Sequence, residues 1–117
     1  MNEIWKKITI NEIENIYSAS NTGKIRNDEN GFIYVHNSQK HNYYVSVALK
    51  TKNGKKKKYL QHRIIAQTFI PNPNNYLIIN HKDENKQNNC IDNLEWCTQK
   101  YNMQCWADKR KENKNGI

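Results

Sequence analysis

Residues 76–107 read YLIINHKDENKQNNCIDNLEWCTQKYNMQCWA, and this stretch decides the fold of the chain. Residues 76–79 form a short apolar run that predicts a buried strand, and the polar residues 80–89 predict a long loop. Residues 91–96 bring the chain back towards a second strand. Thr98 is a suitable N-cap for a helix that continues to the end of the stretch. The predicted order is strand, loop, strand, helix.

The segment before this stretch predicts strands followed by one short helix. Residues 43–50 alternate with the period of two that is typical of a strand, and Asn53-Gly54 is a strong hairpin signal. We therefore expect a small antiparallel sheet over residues 17–60. From Gln61 the apolar spacing becomes helical, and that helix should end before Pro71 because a residue that precedes proline avoids the helical region.

The length and composition favour one small domain. The chain has 117 residues, a net charge of +8 and a hydrophobic fraction of 36%, with a mean hydropathy of −1.08. It has no apolar run near the roughly 20 residues that span a bilayer, and its first residues carry no signal-peptide pattern. The odd number of cysteines, three, fits a reducing compartment. We expect a cytoplasmic protein that does not bind membranes.

The positive charge is concentrated in the second half of the chain. Residues 1–50 carry a net charge of +1, whereas residues 51–117 carry +7. Such asymmetry suggests a surface that faces a polyanion. The run Lys55-Lys56-Lys57-Lys58 is the sharpest local feature. It is either a solvated hairpin arm or a contact to nucleic-acid phosphates.

The region from His62 to Asn102 resembles the HNH endonuclease family, in particular its small phage and intron-associated homing type. The resemblance rests on His62-Arg63, Phe69-Ile70-Pro71-Asn72-Pro73, Asn80-His81-Lys82-Asp83, Asn85-Lys86, Asn88-Asn89, Asn93-Leu94-Glu95-Trp96 and Tyr101-Asn102. The beginning of the chain resembles a module that often precedes this nuclease domain. Its matching residues are Trp5-Lys6, Tyr17, Ser20, Gly23 and Ile25-Arg26.

The resemblance implies an α+β fold, in which a small antiparallel β-sheet region precedes a ββα-metal nuclease core. The expected parts are a β-rich, DNA-contacting module over residues 1–60, the nuclease core over 61–107, and a charged tail over 108–117. The implied activity is metal-dependent hydrolysis of DNA phosphodiester bonds. A monomer with one such site would nick one strand of double-stranded DNA, and a homodimer could cut both. The compartment would be the host cytoplasm if a phage encodes the chain.

Four positions take catalytic or metal-binding roles by this resemblance. His81 matches the general base and Asn93 the middle asparagine of the motif. Asn80 and Asn102 match the positions that bind one divalent ion, Mg²⁺ or Mn²⁺. A neutral histidine can take a proton from water near pH 7, and amide oxygens suit hard ions. With Asn at both metal positions the protein adds no formal charge there, so the DNA phosphate must supply the anion. Asp83 is a less favoured substitute ligand.

The remaining assignments concern DNA contacts and three alternatives. We expect the DNA-binding residues to be Lys55, Lys56, Lys57, Lys58, Arg63, Lys82 and Lys86. His62 either begins the helix in a structural role, which we favour, or contacts the site. The spacing of Cys90, Cys97 and Cys105 lacks the close pairs of a structural zinc site, so zinc is not expected. The alternative function is a non-catalytic or partner-dependent DNA-binding protein that keeps the HNH fold.

Overall fold

The computed structural model describes residues 2–34 and 43–100. Within these residues it contains eight β-strands and one α-helix of more than one turn. The strands are β1 (Trp5–Lys7), β2 (Tyr17–Ser20), β3 (Ile25–Asn27), β4 (Ile33–Tyr34), β5 (Ser46–Lys50), β6 (Lys56–Leu60), β7 (Ile78–His81) and β8 (Leu94–Cys97), and the helix is α1 (Gln61–Phe69). The mixture of small antiparallel sheets and a helix confirms the predicted α+β class.

The first four strands form an antiparallel sheet in the order β1-β2-β3-β4. Strand β1 is an edge strand that the sequence did not predict, and it pairs Trp5 with Ser20 of β2. Strands β2 and β3 are joined by a turn over Asn21 to Gly23, where Gly23 has a φ of +96°. Glycine suits this turn because a positive φ costs it little. All four residues of β2 are buried, which makes β2 the centre of this sheet.

Strands β5 and β6 form a separate two-stranded hairpin, in register Ser46↔Leu60 and Lys50↔Lys56. The predicted turn at Asn53-Gly54 is confirmed, and Gly54 adopts a φ of +84°. The predicted alternation also holds, since β5 alternates exposed and buried residues along its length. The expectation of one sheet over residues 17–60 is wrong. The four-stranded sheet and this hairpin form no common ladder among the described residues.

Helix α1 follows β6 without a connecting loop. The backbone N–H of Gln61 donates to Val45 O of the segment entering β5, at 2.8 Å. Five of its nine residues are buried, including Ile64, Ile65 and Ala66. At the C-terminal cap, Ile70 has an extended conformation, with φ −108° and ψ 115°. The helix therefore ends before Pro71, as the sequence predicts.

Strands β7 and β8 pair antiparallel on either side of a long loop, as predicted, with Asn80 opposite Glu95 and His81 opposite Leu94. Two boundaries differ from the prediction. Strand β7 begins at Ile78 and includes both Asn80 and His81. Residues 91–93 form a 3₁₀ turn before β8. Gln99 and Lys100 are helical after Thr98, and the rest of the predicted helix, Asn102 included, lies outside the described residues.

One core cluster joins these elements. It combines residues of the first sheet, the β5–β6 hairpin, α1 and the β7–β8 hairpin: Ile8, Ile13, Tyr17, Ala19, Ile25, Val47, Leu49, Ile64, Ile65, Ala66, Ile79 and Leu94. Helix α1 lies at its centre, because it contacts strands of all three sheets. Among the described residues, no helix is long and apolar enough to span a membrane.

Candidate active site

His81, the predicted general base, is the last residue of β7 and is buried. Its Nε2 lies 2.9 Å from Oδ1 of Asn89 in the following loop. An amide oxygen can only accept a hydrogen bond, so this contact places the ring proton on Nε2. Nδ1 then carries the lone pair and forms no hydrogen bond with a described residue. The ring is thus held in a tautomer with one basic nitrogen.

Two further rings enclose His81. The His62 ring, on the first turn of α1, lies 5.0 Å from the His81 ring between centroids. Tyr44 stacks on His62 at 4.8 Å and lies 5.9 Å from His81. The sequence favoured a structural role for His62, but its ring contacts the candidate base. His62 is 4% exposed, and its buried Nδ1 has no hydrogen-bond partner among the described residues.

Burial keeps both histidines neutral. It is the main cause that lowers the pKa of His62 to about 3, followed by repulsion from His81 and Arg63. Burial also lowers the pKa of His81, and the hydrogen bond to Asn89 opposes that shift only in part. A lowered pKa leaves the imidazole of His81 uncharged at pH 7. This is the protonation state that a general base requires.

The buried His62 predicts a loss of stability in acid. The unfolded chain binds a proton on this residue below about pH 6.5, whereas the folded chain resists protonation until about pH 3. The free energy of unfolding should therefore fall as the pH drops below 6.5, by up to about 1.4 kcal/mol per pH unit. His62→Phe keeps a ring against Tyr44 and should flatten the decrease in thermal midpoint between pH 7 and 5. An acid decrease as steep as that of the wild type would contradict this assignment.

Asn80, a predicted metal ligand, is oriented by Glu95. Its Nδ2 donates to Glu95 Oε1 at 2.8 Å across the β7–β8 ladder. Because the amide nitrogen faces the carboxylate, Oδ1 points away from it, and Oδ1 has no hydrogen-bond partner among the described residues. An oriented amide oxygen with a carboxylate behind it fits a hard cation such as Mg²⁺. Among the described residues no cluster of three His, Cys, Asp or Glu side chains forms a metal site.

Asn93 closes the loop between β7 and β8. Its Oδ1 accepts from the Asp83 N–H at 3.0 Å, and its Nδ2 donates to Asp83 Oδ1 and Asn88 O. Asp83 also accepts from the Asn85 backbone and the Asn88 side chain. Burial raises the pKa of Asp83, but these hydrogen bonds outweigh it and hold that pKa below its ordinary value. Asp83 therefore ties the loop together instead of presenting free oxygens to an ion.

The four consecutive lysines do not share one face. Lys56 and Lys58 are exposed and form no ion pair with a described residue, whereas Lys57 pairs with Glu12 at 3.3 Å. Lys56 lies directly opposite Lys50 in the ladder. Lys50 has an ion pair with Glu14, but like charges opposite each other still cost stability. Such an arrangement favours a surface that binds anions.

The other predicted DNA-binding residues have different surroundings. Arg63 Nη1 donates to Leu77 O at 2.9 Å, and its guanidinium lies over Trp96, so part of its role is structural. Lys86 Nζ lies 4.8 Å from the Tyr44 ring, beside the candidate base. Lys82 is exposed at the start of the loop. Cys90 and Cys97 form no disulfide bond within the part of the chain that the structure describes, and Cys105 lies outside it.

Sequence reasoning assigned no role to three residues that the structure brings to the site. Asn89 and Glu95 lie within the motif, but their partners His81 and Asn80 are set by the loop path and the strand register. Tyr44 lies 37 residues before His81 and gives no local signal.

The chain is similar to known proteins in both sequence and fold. Residues 59–104 match the model of the HNH endonuclease family. The chain is 44% identical over 98 residues to the uncharacterized HNH endonuclease L245 of Acanthamoeba polyphaga mimivirus. The matched region covers 84% of this chain and 28% of that protein. It is also 37% identical over 100 residues to the DNA endonuclease I-HmuI of Bacillus phage SP01. That match covers 86% of this chain and 55% of the relative.

A solved structure has the same fold. It is the structure of the HNH homing endonuclease I-HmuI, and it concerns DNA binding and cleavage by that enzyme. The two structures superpose with a TM-score of 0.76 at 34% sequence identity, over 91% of this chain and 59% of the other. The chain thus spans between about a quarter and three-fifths of the length of these relatives. By its motif, its fold and these relatives, the chain belongs to the HNH endonuclease family.

Proposed function

We propose that the chain is a metal-dependent DNA endonuclease that hydrolyses one strand of double-stranded DNA as a monomer. The observation that carries the proposal is the His81–Asn89 contact, which holds a neutral, buried histidine with its basic nitrogen on the side away from Asn89. A general base must be neutral to accept a proton from water, and a fixed tautomer keeps its basic nitrogen in one place. The relative I-HmuI, whose solved structure concerns DNA binding and cleavage, supports DNA as the substrate class.

In this proposal each site residue has one task. His81 Nδ1 takes a proton from the attacking water, and Asn89 keeps the other ring nitrogen protonated. Asn93 holds the loop in the closed form. Asn80, and Asn102 beyond the described residues, would hold one divalent ion, Mg²⁺ or Mn²⁺. Such an ion would supply positive charge that stabilises the negative charge developing on the phosphate.

We also propose that residues 1–60 contact DNA and that residues 61–107 form the nuclease core. The outward face of the β5–β6 hairpin, defined by Lys50, Lys56 and Lys58, would bind backbone phosphates. Lys82 and Lys86 extend the positive charge to the loop beside His81. The related proteins come from a phage and a virus, which supports action on DNA in the cytoplasm of an infected host cell.

The hairpin face gives a prediction about salt dependence. Each phosphate contact that is lost should flatten the slope of log affinity against log salt by about 0.9. Replacing Lys56 or Lys58 alone with Gln should therefore flatten it by up to about one unit, and replacing both by up to about two. Lys57→Gln is the matched control, because Lys57 is held by Glu12 and should alter the slope less than either neighbour. Equal effects of all three lysines in an anisotropy titration would contradict this division of the two faces.

Incubation with supercoiled plasmid tests the proposed strand specificity. Relaxed circles as the first product support cutting of one strand by a monomer. Linear product that forms without a relaxed intermediate supports a homodimer and overturns the monomer proposal. Duplex binding without any cutting, in Mg²⁺ and in Mn²⁺, would favour the alternative of a non-catalytic or partner-dependent DNA-binding protein. The uncharged asparagines at both proposed metal positions, Asn80 and Asn102, are the feature that favours this alternative.

A further inference from the structure

The β2–β3 turn lies directly against the loop that carries Asn89. The backbone N–H of Ile91 donates to Asn21 O at 3.0 Å, which joins this turn to the end of the loop. The Gln61 side chain donates to Gly23 O, which joins the turn to the start of α1. The turn is therefore hydrogen-bonded to both elements that surround His81, although it belongs to the N-terminal sheet.

Gly23 is the point of closest approach. A Cβ atom built on Gly23 would lie 2.7 Å from the carbonyl carbon and oxygen of Asn89 and 3.0 Å from its Cβ. These distances are shorter than van der Waals contact, so any side chain at this position must displace one of the two backbones. The absence of a side chain at Gly23 is what allows the Asn89 backbone to occupy its place.

The turn itself is firmly held, so Asn89 is the partner that would move. Asn21 is buried. Its Oδ1 accepts from the Ile4 N–H at 2.8 Å, and its Nδ2 donates to Asn2 O at 3.0 Å. Its backbone N–H also donates to Ile4 O. These three bonds tie the turn to the N-terminal segment and leave it little freedom to retreat.

We propose that Gly23 is a positioning residue, through which the N-terminal sheet sets the orientation and tautomer of His81 by holding Asn89 in place. The chain of contacts runs from the Gly23 backbone to the Asn89 backbone, and from Asn89 Oδ1 to His81 Nε2. Asn89 is 4% exposed, so it has no solvent-filled space into which it can shift without losing a contact. This inference rests on the proposed function of His81 as the base.

Gly23→Ala tests the inference, with Gly31→Ala as its matched control. Both glycines have a positive φ, +96° and +77°, so alanine meets the same backbone strain at each. A Cβ on Gly31 would have nothing within 4 Å. Gly23→Ala should slow single-turnover plasmid nicking at saturating protein by about 10- to 100-fold with little change in DNA affinity. Gly31→Ala should nick at the wild-type rate.

Ring ¹⁵N NMR of the free protein gives a readout that does not depend on cutting. In the wild type and in Gly31→Ala, His81 should show a protonated Nε2 and an unprotonated Nδ1, and His81→Ala assigns these signals. Gly23→Ala should shift the ring towards a mixture of tautomers, and Asn89→Ala should produce the same shift. Thermal unfolding would show whether Gly23→Ala is folded. If it is not, Asn21→Ala is the second variant, because it removes only the side-chain bonds that hold the turn. It should show a smaller shift of the same ring signals.

The outcomes separate this inference from the proposed function. If Gly23→Ala matches Gly31→Ala in both nicking rate and ring signals, the positioning role is overturned and the endonuclease proposal stands. If Gly23→Ala does not fold and Asn21→Ala is used in its place, wild-type ring signals in Asn21→Ala overturn the positioning role of Gly23 as well. If the wild type does not cut DNA, the proposed function fails, while the ring signals still test whether Gly23 sets the tautomer of His81.

Discussion

His81→Ala should slow plasmid nicking by about 10²- to 10⁴-fold, which is the usual contribution of a general base. The expected loss follows from the geometry, because Nδ1 of this ring is the only basic nitrogen that the Asn89 contact leaves free. DNA affinity should change little, since the phosphate contacts proposed above are made by lysines elsewhere. Single-turnover rates and anisotropy titrations on the same preparation would measure both quantities.

Two controls separate the loss of a base from a loss of structure. Thermal unfolding should show that His81→Ala still folds, because the core around α1 does not depend on this ring. Added imidazole should restore part of the nicking rate by occupying the space of the missing ring. Nicking by His81→Ala at nearly the wild-type rate would remove His81 from the mechanism.

Substitutions at the proposed metal ligands should change the metal requirement. Asn102→Ala should raise the Mg²⁺ or Mn²⁺ concentration needed for half-maximal nicking, by about 10- to 100-fold if it loses a ligand or a group that orients one. Asn80→Asp should lower that concentration, because a carboxylate adds the negative charge that the amide lacks. The measurement is a titration of nicking rate against each metal.

Glu95 should reduce the size of the effect expected for Asn80→Asp. Its carboxylate already faces Asn80 at 2.8 Å, so a carboxylate at position 80 would lose this hydrogen bond and meet a like charge. Asn80→Asp combined with Glu95→Gln restores a donor opposite the new carboxylate and is the matched variant. If neither Asn102→Ala nor either form of Asn80→Asp alters the titration, the ion does not bind at these residues.

Local sequence patterns predicted the elements well where one physical rule determined the result. The alternation through β5, the positive φ of Gly54 and the end of α1 before Pro71 each depend on residues close in sequence. The arrangement of the strands into separate sheets does not depend on residues close in sequence. Whether the hairpin continues the first sheet depends on how both pack on α1, which no local period encodes. Edge strand β1, three residues long, is too short to show an alternation.

The candidate site also has residues that local sequence predicts and residues that only the tertiary structure brings in. The motif places His81, Asn93 and Asn80 on one hairpin, and the structure brings them there. The residues that act on them were not predictable from the motif spacing. Asn89 reaches His81 through the path of the loop, Glu95 reaches Asn80 through strand register, and Gly23 reaches Asn89 through the packing of two sheets on α1. Each of these contacts is tertiary.

The nicking of supercoiled plasmid by wild type and His81→Ala, side by side in Mg²⁺, Mn²⁺ and EDTA, tests the central claim most directly. Relaxed circles should accumulate only with the wild type and a divalent ion. They should be absent with EDTA and slower by two orders of magnitude or more with His81→Ala. A plasmid that stays supercoiled in both metals, at protein concentrations where a gel shift shows DNA binding, would contradict the account.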